Sequence, residues 1–178
     1  MKFFTREWHE AWQFAKSEEE RDKLREKTRQ IIEEYEKQFR VVKPRLFSGF
    51  IDFYDSHGRF HDAEVKNIRV SRNQGKTAPV ADVFIDLDID EGLYQLHYGS
   101  VSKISYTADL LSSDIDIMRW REQFDIWMYD EFSVGSSNNI QHEVSFLSGG
   151  SLIIEFENIN IKELHGNKGS DNYGYDFN

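Results

Sequence analysis

A chain of 178 residues with 32 Asp/Glu against 22 Lys/Arg carries a formal charge of −10, which argues against nucleic acid or an anionic membrane as its partner. Cysteine is absent, which removes disulfides, a thiol nucleophile and any thiolate metal site. The length fits one domain with a helical extension, and an aromatic share of 15% supplies bulk for its core.

The charge is unevenly spread. Residues 1–45 hold 12 Lys/Arg against 10 Asp/Glu, and residues 46–178 hold 10 against 22. A slightly basic front therefore joins a strongly acidic body, which suits a basic protein partner or a metal ion. The opening Met1-Lys2-Phe3-Phe4-Thr5-Arg6-Glu7 is interrupted by charge, so no signal-peptide core is expected. No run of about 18 apolar residues occurs, so no membrane span is expected and the reading is a soluble cytoplasmic protein.

Residues 5–40 read as helix. Trp8, Ala11, Trp12 and Ala15 recur at the spacing of one helical face. Ser17-Glu18-Glu19-Glu20 matches a capping box, in which Ser17 accepts from the Glu20 amide while Glu20 reaches back. One kinked helix and two separate helices both fit. The stripe beyond it is Leu24, Thr28, Ile31, Ile32, Tyr35 and Phe39, opposite a face of Glu/Lys and Glu/Arg neighbours. It covers barely two heptads, which favours packing on the host domain over pairing with a second copy. Pro44 ends the helical period.

Everything from residue 46 reads as strands. Residues 46–54 are apolar on both faces, as in a central strand, and His57-Gly58 is a turn. Residues 63–70 form a strand with a change of phase near Asn67, the mark of a bulge. Residues 71–79 are loop-like. Val83, Ile85, Leu87 and Ile89 then alternate with Phe84, Asp86, Asp88 and Asp90 in the cleanest two-residue period of the chain. Glu91-Gly92 turns it into residues 93–106, a strand pair or one long strand bent around Gly99. A short helix is placed around 115–120. Strands follow at 124–132, 140–147 and 151–161, the last two joined as a hairpin through Ser148-Gly149-Gly150-Ser151. Three regions result: a helical segment 1–45, an antiparallel β domain 46–164 and a flexible tail 165–178. The fold class is α+β, with N-terminal helices packed on an antiparallel sandwich or strongly curved sheet of about seven strands.

Few residues point to chemistry. Asp86, Asp88 and Asp90 resemble the start of a calcium loop, but its sixth position is Glu91 where glycine is needed and its twelfth is His97 where glutamate is needed. The aliphatic residues between these acids keep a strand period. The three carboxylates then share one sheet face at a Cα spacing of about 7 Å. Their mutual repulsion invites a basic partner. Asp86, Asp88, Asp90 and Glu91 are accordingly the first candidates for partner binding, and Asp130 with Glu131 the second. His57, His61 and Asp62, with Glu64 beyond, form a weaker candidate for a metal or enzyme site, because Gly58 and strand-like flanks break the helical spacing that a His-x3-His ligand pair needs. His142 and Glu143 point to opposite faces of a strand. No Gly-x-Ser-x-Gly marks a nucleophile, and Gly149-Gly150 leads into a strand rather than a phosphate-binding helix. No cofactor is called for. Trp120, Trp127 and Tyr129 near Arg119 and Arg121 are outnumbered by acids such as Asp114, Asp116 and Asp125, which favours core packing over single-stranded nucleic acid.

Four stretches carry a resemblance: the opening Met1-Lys2-Phe3-Phe4-Thr5-Arg6-Glu7-Trp8, then Phe60-His61-Asp62-Ala63-Glu64-Val65, Trp127-Met128-Tyr129-Asp130-Glu131, and Leu152-Ile153-Ile154-Glu155-Phe156. In this order they resemble an uncharacterised family of bacterial proteins of unknown function, over most of the chain up to about Leu164. That resemblance implies no activity. The His-Asp then Trp-x-Tyr-Asp-Glu layout on a small acidic β protein is also similar, more loosely, to immunity proteins that neutralise toxins, which implies a non-catalytic protein-binding role.

Overall fold

A computed structural model describes residues 1–72, 81–90, 92–107 and 125–164. Of the loop expected over 71–79, Ser71 and Arg72 are in a strand, and the rest of it, the short helix around 115–120, Glu91 and the tail from 165 lie outside the described residues.

The helical front is two helices. Helix α1 (Arg6–Phe14) is capped by Thr5, whose hydroxyl accepts from the Trp8 amide, and it stops where Ala15 turns extended. Helix α2 (Glu18–Val42) starts from the complete Ser17/Glu20 capping box. Its inward stripe buries Tyr35, Phe39 and Val42 against the sheet, while Ile32 of the expected stripe stays 44% exposed. The helix outruns the sheet: the N-terminal half of α2 buries no residue, and neither does α1. The two are fastened by Trp8 and Trp12, whose indole N–H groups both donate to Thr28 Oγ1 at 3.0 and 3.1 Å.

Residues 46–54 are not a strand. A 3-10 turn (Lys43–Arg45) carries Pro44 and leads into helix α3 (Ser48–Ser56). The residues expected to be apolar on both faces of a strand instead make a helical stripe. Phe50, Ile51 and Tyr54 are buried at the i, i+1, i+4 positions, and Asp52 and Asp55 look outward. A short apolar run supports either period, and here the packing partner decides.

Eight strands follow: β1 (Glu64–Arg72), β2 (Ala81–Ile89), β3 (Gly92–Val101), β4 (Lys103–Thr107), β5 (Asp125–Val134), β6 (Ile140–Phe146), β7 (Ser151–Phe156) and β8 (Asn158–Glu163). They form one antiparallel sheet in the order β4-β7-β6-β5-β1-β2-β3-β8, which is not closed. The count exceeds the expected seven because two long strands bend. Strand β3 runs into β4, and β7 into β8. The ladder between them turns a corner, with Ser102 N–H donating to Glu155 O and Glu157 N–H to Gly99 O. The bend uses left-handed Ser100 (φ 55°) and a close approach at Gly99, where a Cβ would lie 2.3 Å from Asn158 Oδ1. The bulge near Asn67 is present, as a register shift between Val65 and Asn67 against β2. The β6–β7 hairpin turns through Gly149 at φ 87°.

The core between sheet and helices is largely aromatic. Phe39, Phe50, Tyr54, Phe60 and Phe132 meet at ring-centroid distances of 5.2–6.3 Å. The link from α3 to β1 holds left-handed Arg59 (φ 57°), Phe60 (φ 61°) and Asp62 (φ 68°). Tertiary contacts fix this unfavourable backbone. The Arg59 guanidinium lies 5.7 Å from the Phe39 ring centroid and 5.9 Å from those of Tyr35 and Tyr54, and its Nη2 donates to Glu36 at 2.6 Å.

The helical stripe of α3 sets a stability contrast. Phe50→Ala is expected to cost about 3–5 kcal/mol in chemical denaturation. Phe47→Ala, at a position 60% exposed, is expected to cost less than about 0.5 kcal/mol.

Candidate functional site

Strand β2 positions the face singled out in the sequence. Val83, Ile85 and Leu87 are fully buried and Ile89 nearly so, which turns Asp82, Phe84, Asp86 and Asp88 to the other side. Pairing with β1 sets Glu64 opposite Asp88, Asn67 opposite Asp86 and Arg69 opposite Phe84. Pairing with β3 sets Leu93, Gln95 and His97 opposite the same three, and β8 adds Lys162 opposite Gln95.

The carboxylates on this face are held in different ways. Asp86 accepts from Gln95 Nε2 at 2.7 Å and from Asn67 Nδ2 at 3.3 Å. The β1 bulge swings Lys66 towards the face, where its ammonium bonds Glu64 and lies 3.4 Å from Asp88 Oδ2. Burial disfavours the Lys66 charge, but the bond to Glu64 and the charges of Glu64 and Asp88 outweigh it and raise its pKa. Asp90 sits exposed in a left-handed turn (φ 49°) with no side-chain partner among the described residues. Glu91 lies outside the described residues.

The first half of β2 carries a planar stack that the sequence reading did not single out. His97 lies parallel to Phe84 at 4.6 Å and 8°, and the Arg69 guanidinium lies 5.0 Å from the Phe84 centroid. His97 Nε2 is 3.6 Å from Asp82 Oδ2, too far for a hydrogen bond, and that nitrogen is buried without one. Asp82 Oδ1 accepts from the Ser100 amide at 3.2 Å. The ladder pairing Ile89 with Gly92 dictates that Phe84 meets His97, so the two-residue turn was a usable signal.

The expected second pair of acids is not on the surface. Strand β5 is covered on both faces, and a bulge between Trp127 and Tyr129 leaves Asp130, Glu131 and Phe132 buried in succession. Asp130 accepts from the Tyr54 hydroxyl and from Trp127 Nε1 at 3.0 Å. His142 Nε2 is 3.2 Å from Asp130 Oδ2, close enough for an ion pair but off the hydrogen-bond direction. The other ring nitrogen, Nδ1, meets the Tyr98 hydroxyl at 2.9 Å, and the imidazole stacks on Phe132 at 3.8 Å. Glu131 accepts from the backbone amides of Lys2, Phe3 and Phe4 at 2.8, 2.6 and 2.7 Å, so it anchors the N-terminal arm. Glu155 is a third internal acid, held below the usual carboxylate range by the Ser136 hydroxyl against the opposing effect of burial, with help from Lys103.

His57 and His61 are not brought together. His57 stacks on Phe53 at 3.7 Å, with Nδ1 2.9 Å from Phe53 O. His61 packs edge-on against Tyr129 at 5.1 Å, with Nδ1 2.9 Å from Asp62 Oδ2, and Glu64 is engaged by Lys66. The Asp62 carboxylate orients one imidazole, which is one part of a general-base arrangement. Among the described residues no three His, Asp or Glu side chains are grouped to hold a metal ion. A cavity of ≈ 370 Å³ lies between the N-terminal arm, α1 and α2, floored by Trp8, Leu24 and Ile31. Its charged lining residues, Lys2 and Lys27 against Glu7 and Glu34, balance and give it no charge preference. Among the described residues no helix is long and apolar enough to cross a membrane.

Fold and site together define an α+β protein whose outer sheet face is acidic at one end and carries an Arg–Phe–His stack at the other. No protein-family model matches the chain, and no curated protein matches it.

The buried network makes stability depend on pH. Burial first, and then the charge of Asp130, push the phenols of Tyr54 and Tyr98 well above their ordinary value, and Tyr35 moves the same way for the same reasons. Unfolded phenols release protons above about pH 10 while the folded ones keep theirs, so stability is lost as pH rises past that point. Urea midpoints measured from pH 8 to 11 are expected to fall above about pH 10, and to fall less steeply in Tyr54→Phe. Identical slopes in the two proteins would contradict the assignment.

Proposed function

We propose that the chain is a non-catalytic binding protein that captures a basic protein through the acidic end of this face, in the manner of an immunity-type protein blocking a basic toxin domain. The supporting observation is negative charge that is fixed in place without being cancelled. Two amide side chains hold Asp86, and amides donate hydrogen bonds without neutralising a carboxylate. One ammonium, Lys66, serves both Glu64 and Asp88. Asp90 is exposed. Glu64, Asp86 and Asp88 on the face thus outnumber Lys66 and Lys162, and Asp90 in the adjoining turn adds to the acidic surplus. Carboxylates on a rigid sheet lose little side-chain entropy when a cation arrives. The charge asymmetry of the chain adds long-range attraction for the same kind of partner and repels nucleic acid. The same reading takes the protein to act in the cytoplasm, where a chain without cysteine needs no oxidising environment.

Attraction of this kind acts mainly on the association rate and weakens with salt. A basic partner recovered at low salt from the cell of origin is expected to associate with the Asp86→Asn/Asp88→Asn/Asp90→Asn protein about tenfold more slowly, with the melting temperature nearly unchanged. Raising ionic strength is expected to narrow the difference. An association rate indifferent to both the triple substitution and salt would remove the reading.

A further inference from the structure

Resting on that binding reading, we propose that the Arg69–Phe84–His97 stack is the anchor of the interface and that its occupant is an extended segment of the pattern cation-x-cation-x-carboxylate. The outer positions of β2 supply the template. Phe84, Asp86 and Asp88 repeat every two residues at about 7 Å, the same-face spacing of an extended chain, whereas one helical i, i+4 step advances only about 6 Å and its stripe drifts sideways. Alternate cations of an extended segment therefore meet Asp88 and Asp86 in turn, and the next residue on that side arrives at Phe84.

The environment at Phe84 selects the third residue. Arg69 is exposed, lies over the ring, and has no carboxylate partner among the described residues. An incoming carboxylate there gains a charge-assisted, fork-shaped contact with the guanidinium, while a third cation is repelled by it. The His97 nitrogen without a hydrogen bond lies on the far side of the same ring. A half-buried aromatic ring locked between two planar groups matches the usual composition of an interface hot spot. Charge along β2 is uneven: in the first half Arg69 and His97 flank Phe84, with Asp82 beside His97 and accepting from the Ser100 amide, and the second half carries Glu64, Asp86 and Asp88 against Lys66. Such unevenness fixes the direction in which a segment lies, which uniform negative charge does not.

The test uses the full chain and two short synthetic peptides of identical composition. One carries two lysines and a glutamate at alternate positions, and the other carries the same residues with both lysines adjacent. Binding is followed by backbone and aromatic NMR shifts. The alternating peptide is expected to bind about tenfold more tightly, with shifts centred on Phe84, Gln95 and His97. Arg69→Gln and Phe84→Leu are each expected to erase that preference while leaving the melting curve within about 2 °C. Equal binding of the two peptides, shifts centred away from β2, or binding of neither would overturn the anchor. Equal binding that disappears in the Asp86→Asn/Asp88→Asn protein would leave capture of basic partners standing, and the association-rate measurement decides that wider reading separately.

Discussion

The burial of alternate residues along β2 constrains everything outside the core. Val83, Ile85, Leu87 and Ile89 belong to the buried core, and removing apolar surface from water at roughly 25 cal/mol per Å² is the largest favourable contribution such residues make. A slip of one residue would bury three aspartates and expose four aliphatic side chains, so the register is fixed by far more than hydrogen bonding. Once it is fixed, the neighbours of each outward side chain are fixed too. Asp86 must lie between Asn67 and Gln95, and Phe84 between Arg69 and His97.

Net charge and surface charge are different quantities in this molecule. The acidic surplus after residue 45 includes Asp130, Glu131 and Glu155, which are all internal. Each is retained because specific donors replace the lost water: phenol and indole for Asp130, three backbone amides for Glu131, and a hydroxyl with an ammonium for Glu155. These groups tie together segments far apart in sequence. Asp130 links α3 to β5, and Glu131 links β5 to the N-terminal arm. Removing one partner of such a pair costs more than the pair contributes, because the remaining charge is left buried. Asp86 and Asp88 on the outer face of β2 are only partly buried, and their partners Asn67, Gln95 and Lys66 come from the neighbouring strands β1 and β3.

How much of this was legible in the sequence depended on whether a local rule was enough. Caps are local, so the Ser17/Glu20 box marked the start of α2 correctly. Two-residue alternation over the eight positions 83–90 is also local, and β2 followed from it. Residues 46–54 failed because a short apolar run fits either period, and only its seat against Tyr35, Phe39 and Phe132 selects the helix. The split of 151–161 into two strands depends on a corner shared with β3 and β4, which no single segment records. Asp130 and Glu131 read as surface acids because the sequence does not show that β5 is covered on both sides. The Phe84–His97 stack was within reach, since a two-residue turn fixes which residues face each other, but that inference needed the strand ends before it could be drawn. For the candidate site, the orientation of the aspartates was readable and the identity of their partners was not.

The absence of native cysteine permits a direct measurement of the central claim. Single cysteines placed at each position from 84 to 89, and at 130 and 131, can be labelled under native conditions with no background thiol. The account predicts fast labelling at 84, 86 and 88, slow labelling at 85, 87 and 89, and slow labelling at 130 and 131. Uniform rates along 84–89, a three- to four-residue period, or rapid labelling at 130 and 131 would contradict it.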